Sequence, residues 1–249
     1  MEKQELTADR IEGRNPVVEA LKAGRCIDKI FVQKDAKDGS LVKIRAMARN
    51  HGIVVSEVAK QKLDHMSQTG VHQGVIACAA MRSYVTVEEI LEKASSKGEP
   101  PFIVIADEIS DPHNLGSIIR SANAAGAHGV IIPKHRSVGL SAVVAKSSAG
   151  AVEYVPVARV TNLVKTAEEL KRQGVWVAGA AMEGDQPYYK ANFTGALAIV
   201  IGSEGFGISR LLKQTCDFLV SIPMKGEINS LNASVAAGIL LMEAARQRN

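Results

Sequence analysis

The sequence predicts two α/β units, the second and larger of them built on a mostly parallel sheet. Two observations carry this. From Pro101 onward, short continuous apolar runs alternate with segments of helical period, the pattern of strands covered on both faces by helices. A shorter alternation of the same kind fills residues 1–82, and a run rich in Ser, Gly and Pro separates the two.

In the first unit, Asn15-Pro16 opens a helix over Val17–Ala23 that Gly24 ends, since proline suits a first helical turn. Lys29–Gln33 reads as a strand, Leu41–Asn50 as a helix stopped by His51-Gly52, and Ile53–Val58 as a second strand. A short helix over Lys60–Met66 and a buried strand over Gly74–Ala80 complete it. Residues 83–100 read as a linker holding one amphipathic helix over Val85–Ser95, before SSKGEPP breaks the chain. In residues 101–249 the strands are Phe102–Ala106, Gly129–Ile132, Val175–Ala178, Leu197–Gly202 and Phe218–Ile222. The helices between and after them are Ser117–Ala125, Ser141–Ala149, Asn162–Gln173, Ser209–Thr215 and Asn232–Gln247.

Composition excludes several classes. Charged residues are 22%, the globular norm, so wholesale disorder is not expected. Aromatics are only 4%, which disfavours recognition by many stacked bases. The net charge of +4 lies wholly in residues 1–82, which carry 14 Lys/Arg against 10 Asp/Glu; this suits contact with a polyanion, or simply a solvated surface. Cys26, Cys78 and Cys216 lie far apart with no C-x-x-C, so neither a disulfide framework nor a zinc site is expected. The six histidines show no metal-binding spacing, and surface or turn roles are expected for most of them. The amino terminus has no apolar core of a secretion signal, and no run is long enough to span a bilayer. The expectation is a cytoplasmic protein without metal or membrane.

Three loops at the carboxyl ends of expected strands carry the chemistry, where open α/β sheets place ligands. In DEISDPHNLGSIIR, Asn114 reads either as a helix cap or as a site residue. Arg120 lies on an otherwise apolar helix, where a buried arginine would pair with an anion. In IVIGSEGFG, Gly202, Gly205 and Gly207 permit tight turns and close approach to a ligand, with Glu204 among them. The spacing fits neither a dinucleotide nor a phosphate-loop pattern. In IPMKGEINSLNASVAAG, Ser230 and Asn232 launch a helix of small residues; capping explains one of them.

Together these loops resemble, in order, the three motifs of SpoU-type RNA 2′-O-ribose methyltransferases of the SPOUT superfamily: NLGSIIRSANAAG, IVIGSEGFGIS and IPMKGEINSLNASVAAGILLMEAAR. Residues 10–80, with IEGRNPVVEAL and HQGVIA, resemble the family's L30e-like RNA-binding domain. The resemblance implies a carboxyl-terminal domain tied into a trefoil knot, S-adenosyl-L-methionine as cofactor, and a homodimer whose site is completed across the interface. It implies Arg120, Asn114, Glu204, Ser230 and Asn232 as the catalytic cluster. Gly202, Ile222 and Leu231 would make backbone contacts to the cofactor, in a pocket that also includes Ser203, Gly205, Met224 and Ser230. The substrate it points to is RNA, a guanosine of 23S rRNA before tRNA. Arginine holds its proton too tightly for general-base work, so Arg120 is expected to stabilise developing alkoxide charge on a ribose 2′-oxygen. The rivals are a non-catalytic RNA-binding protein, against which Arg120 and Asn232 stand, and a nucleotide-dependent enzyme, which would need a phosphate loop in place of DEISDPHNLG.

Overall fold

The computed structural model describes residues 10–36, 38–80 and 82–248. The chain divides into two units, one of residues 1–83 with 139–143, the other of 84–138 with 144–249.

The first unit begins with β1 (Arg10–Glu12), α1 (Arg14–Lys22), β2 (Ile27–Gln33) and α2 (Gly39–Asn50), and continues with β3 (Val54–Val58), α3 (Lys60–Met66) and β4 (Val75–Ala79). The sheet order is β1-β4-β2-β3; β2 and β3 are parallel, and β4 runs antiparallel to both β1 and β2. Val17 and Leu21 of α1 and Leu41, Ile44 and Ala48 of α2 pack with Ile30, Val32, Val75 and Ala77 in one apolar core. β1 is a correction: the sequence reading left it out. Helix α1 also starts earlier than expected, at Arg14 behind the positive-φ Gly13 (φ 94°), so Pro16 is its third residue.

The second unit contains α4 (Val87–Ser96), β5 (Phe102–Ala106), α5 (Pro112–Ala124), β6 (Gly129–Pro133), α6 (Ala142–Ser147, whose last four residues belong here), β7 (Val157–Val160), α7 (Leu163–Arg172) and β8 (Trp176–Ala180). It ends with β9 (Gln186–Pro187), β10 (Leu197–Ile201), α8 (Arg210–Thr215), β11 (Phe218–Ser221) and α9 (Ala233–Arg248). Seven strands lie in the order β7-β6-β5-β10-β8-β11-β9, and every pair is parallel. All five residues of β5 and of β10 are buried, because helices cover both faces of the middle of the sheet.

The stretch expected as a linker contains no free helix. Thr86 and Glu89 form a reciprocal capping box that starts α4. Ile90 of α4 is fully buried among Ile103, Ile105 and Ile131, and a side chain at Gly129 would collide with it, so α4 is part of the second unit's core. Two of the histidines, most of which were expected at the surface or in turns, are buried: His72, and His128, whose Nδ1 accepts from Phe102 N at 3.0 Å. Among the described residues no helix is long and apolar enough to cross a membrane.

Candidate active site

From β5 the chain moves through α5 to β6 on one side, and from β10 it moves through α8 to β11 on the other. β5 and β10 are neighbours, paired from Phe102–Leu197 to Ala106–Ile201, so the strand order reverses between them. A crevice therefore opens at their carboxyl ends, the usual ligand position of an open parallel sheet. Asp107 holds that end together: its backbone N–H donates to Ile201 O at 2.8 Å, and its buried carboxylate accepts from Ser209 N at 2.7 Å.

The loop after β5 leads into α5. Asp111, not Asn114, caps this helix, accepting from His113 N at 2.9 Å, with Pro112 in the first helical position. Capping therefore does not account for Asn114. It sits one turn further in, 7% exposed, and its side chain leaves the helix. Its Nδ2 donates to Glu204 Oε1 at 3.0 Å, and its Oδ1 accepts from Asn232 Nδ2 at 2.9 Å. Asn232 Nδ2 also donates to the same Glu204 oxygen. Three side chains from three loops thus close on one another, and Glu204 Oε2 keeps its lone pairs without a partner among the described residues.

Asn232 also starts α9. Its Oδ1 accepts from Ser234 N at 2.9 Å, Ser234 Oγ at 2.6 Å and Val235 N at 3.3 Å. The choice between cap and site residue dissolves, since opposite ends of one carboxamide serve both. The loop after β10 is a tight turn in which Ser203 N donates to Gly207 O at 3.0 Å and Gly207 N to Ser203 O at 2.9 Å. Gly205 (φ 84°) and Gly207 (φ 68°) allow that turn. Gly202 has another reason: a Cβ there would lie 2.1 Å from Gly207 C and 2.2 Å from Ile208 N. The close approach this glycine permits is to the loop's own backbone.

Two expected residues stand apart from the cluster. Arg120 is exposed and makes no hydrogen bond or ion pair among the described residues. Six positions beyond Asn114, it projects roughly 120° around the helix and about 9 Å further along it. Ser230 is likewise exposed and without a hydrogen bond. Ile222 and Leu231 are half-buried and Met224 is 38% exposed, around a segment, 222–231, that forms no backbone–backbone hydrogen bond among the described residues. Phe206 stands 95% exposed in the glycine turn, between Gly205 and Gly207.

The arrangement offers one carboxylate oriented by two neutral amides, with no serine, cysteine or lysine nucleophile in the cluster. It suits the orientation of hydroxyl groups better than covalent catalysis. Comparison with known proteins agrees. Residues 101–242 match the model of the SpoU rRNA Methylase family, and residues 10–85 match that of the RNA 2′-O ribose methyltransferase substrate binding domain. The chain is 47% identical over 241 residues to YacO of Bacillus subtilis, of the TrmH family of tRNA/rRNA methyltransferases, covering 97% of this chain and 96% of that one. A Staphylococcus aureus protein of the same family is 47% identical over 239 residues, covering 96% of each. Among solved structures, the SpoU methyltransferase AviRb of Streptomyces viridochromogenes, in complex with AdoMet, is similar with a TM-score of 0.60 and 27% identity, over 96% of this chain and 89% of that one. An AdoMet-bound rRNA methyltransferase of Sinorhizobium meliloti gives 0.58 and 26%, over 96% and 87%. With its three motifs converging at the sheet's switch point and family models matching residues 10–85 and 101–242, this chain belongs to the SpoU methylase family of RNA methyltransferases.

Proposed function

We propose that the chain transfers a methyl group from S-adenosyl-L-methionine to a ribose 2′-hydroxyl of RNA, and that it does so as a homodimer. The observation that carries this reading is the closed network of Asn114, Glu204 and Asn232 at the ends of two neighbouring parallel strands. A guanosine of 23S rRNA is the proposed target; tRNA is the alternative, since the relatives share a description naming both.

The residues present fit the cofactor. Segment 222–231 leaves backbone donors and acceptors free for a polar ligand, and Ile222, Met224 and Leu231 give it apolar surface. Ser203, Gly205, Ser230 and the backbone of Gly202 adjoin that segment in this reading; a side chain at Gly205 would meet open space. The cofactor supplies a methyl already activated on a sulfonium. The protein must hold the ribose oxygen in line and ease the loss of its proton. Glu204 Oε2 accepts from a ribose hydroxyl while Asn114 and Asn232 fix the carboxylate's plane. Holding reactants in a near-attack geometry contributes up to about 7–11 kcal/mol in well-oriented systems.

Arg120 acts from the partner subunit. Within one chain it points away from the cluster and has no partner there. The first ten residues of α9, Ala233–Met242, include no charged side chain, and not all of their apolar surface is covered within one chain. Val235 (50% exposed), Ile239 and Met242 (53%) form a stripe at positions i, i+4 and i+7 that a second copy would cover. In the dimer the guanidinium of the partner subunit's Arg120 stabilises negative charge growing on the 2′-oxygen. The knotted threading expected of the family belongs to this reading, with segment 222–232 returning to place Asn232 against Asn114.

Labelled methyl transfer to unmodified 23S rRNA, 16S rRNA and tRNA tests the reaction, with the modified nucleotide mapped. A single 2′-O-methylguanosine in 23S rRNA is expected. Methylation of tRNA alone overturns the substrate, and transfer to no RNA overturns the function. Mixed dimers of Asn114→Ala and Arg120→Ala chains test the shared site: each variant alone is inactive, and the mixture recovers activity because one of its sites holds neither change. No recovery overturns the shared site.

A further inference from the structure

Within the first unit, the carboxyl end of β2, the amino end of α3 and the loop before β4 enclose a concavity of about 440 Å³. We propose that it receives one unpaired ribonucleotide of the substrate RNA, with the phosphate held by Arg14 and Lys60 and the base edge by Gln33 and Gln73. The proposal rests on the reading that this chain acts on RNA, and adds a second place of contact, outside the methyl-transfer cluster.

The wall is built before any ligand arrives. Glu12 accepts from Ser67 Oγ at 2.7 Å, Gln68 N at 2.6 Å, and both Thr69 N and Thr69 Oγ1, which ties the loop after α3 to β1. His72 is 5% exposed; its Nδ1 accepts from Gly74 N at 3.0 Å, so Nε2 carries the proton and donates to Asp64 at 2.8 Å. Gln73, with φ 51°, is held by Arg14 from both sides: Arg14 N donates to its Oε1 at 3.1 Å, and Arg14 Nε to its backbone O at 3.0 Å. Such preorganisation spares a ligand the cost of ordering the loop.

What remains unsatisfied defines the ligand. Arg14 Nη1 is occupied by Asp38 at 2.7 Å, but Nη2 has no partner among the described residues. The same holds for the Lys60 ammonium, the Gln33 carboxamide and the Gln73 Nε2 group, while Asp64, the acidic side chain in the wall, is engaged by His72. The concavity is therefore rich in free donors and holds two cations, one of them paired with Asp38, with the 64%-exposed Val71 as apolar surface. Donors and cations select a phosphodiester, carboxamides read a base edge, and an aliphatic wall accepts a base face. The volume is of single-ligand size and admits one nucleotide rather than a helix, and paired bases have no free edge to offer.

The test uses the full chain with Val71→Glu and Lys60→Ala, neither of which removes a bond from the wall. The probe is a fluorescent single-stranded RNA hexamer of mixed sequence, competed by a 12-base-pair RNA duplex, in a salt series. The wild type is expected to prefer the hexamer. Val71→Glu should weaken it at least about tenfold, and Lys60→Ala should reduce the slope of log K against log salt by about 0.7, the share of one phosphate contact. Cofactor affinity should not change in either variant. Both variants binding the hexamer like the wild type, or a duplex that competes equally well, overturns the pocket. If the wild type still methylates RNA in that event, the proposed function stands without it. A wild type that neither binds nor methylates RNA overturns both.

Discussion

Substitutions at Asn232 should separate the two ends of its carboxamide. The Oδ1 end accepts from the first turn of α9, and the Nδ2 end donates to Asn114 and Glu204. Serine keeps an acceptor for the helix and loses the donors; alanine loses both. Loss of an asparagine cap costs about 1 kcal/mol. Loss of donors to a carboxylate costs about 1.5–3 kcal/mol when buried, and Glu204 is exposed, so about 1–2 kcal/mol is expected. Asn232→Ser should therefore destabilise by about 1–2 kcal/mol, and Asn232→Ala by about 1 kcal/mol more. Asn232→Asp keeps the cap but sets a second carboxylate against Glu204. It should be the least stable of the three at pH 7, and should recover as protonation removes one of the two like charges. Urea midpoints at a fixed protomer concentration measure these differences, provided the slopes agree. Equal midpoints for serine and alanine would refute the cap. A serine variant with wild-type stability and full methyl transfer would refute the network.

Three further outcomes are expected. Ile90→Ala should cost about 2–5 kcal/mol in thermal or urea unfolding, because a fully buried side chain in the second unit's core is removed, whereas a free linker helix would lose less than about 0.5 kcal/mol. Gly116→Ala sets a Cβ 1.9 Å from Ser147 Oγ and 2.9 Å from the backbone N of Ser148; the hydroxyl can swing away but the backbone cannot, so a loss of about 1–3 kcal/mol is expected in the same assay. For Glu12, burial pushes the carboxyl up, but the hydrogen bonds from Thr69, Gln68 and Ser67 outweigh it and bring the pKa from 4.5 down to about 2. A depressed carboxylate stabilises fully above its unfolded value and loses that contribution as pH falls from 4.5 toward 2. Stability followed across that window should fall less steeply for Glu12→Gln than for the wild type, and an unchanged slope would contradict the assignment.

Much of this was legible in the sequence, for reasons that differ by element. β5 appeared with its bounds intact because FIVIA is apolar throughout and buried on both faces. β1, β7 and β9 were missed: two or three residues (RIE, QP) carry no period, and VARV is interrupted by an arginine. Glu204 and Asn232 were found by motif and are brought together by the fold. The capping alternative at Asn114 failed because Pro112 moves the helix start back to Asp111, a shift that N-terminal proline preference could have shown. An anionic partner for Arg120 was expected only if it were buried; its apolar neighbours are buried while the arginine itself is exposed. α4 looked like a linker because four of its ten residues are charged, and only Ile90 and Ala94 are buried.

Asn114 and Glu204 are 90 positions apart, and Asn114 and Asn232 are 118 apart. Contacts of such long range form late in folding, after the loops they close have been ordered by nearer ones. On a ribosome adding about 5–20 residues per second, Asn114 emerges about 6–24 s before Asn232 can reach it. Through that interval the amino-terminal unit has nearly its whole sequence available to fold, while α5 lacks both α9 and the Asn232 side chain that bonds its Asn114. The cluster thus forms late in the nascent chain, and a chain cut short before Asn232 would keep the sequence of its amino-terminal unit and lose the cluster entirely.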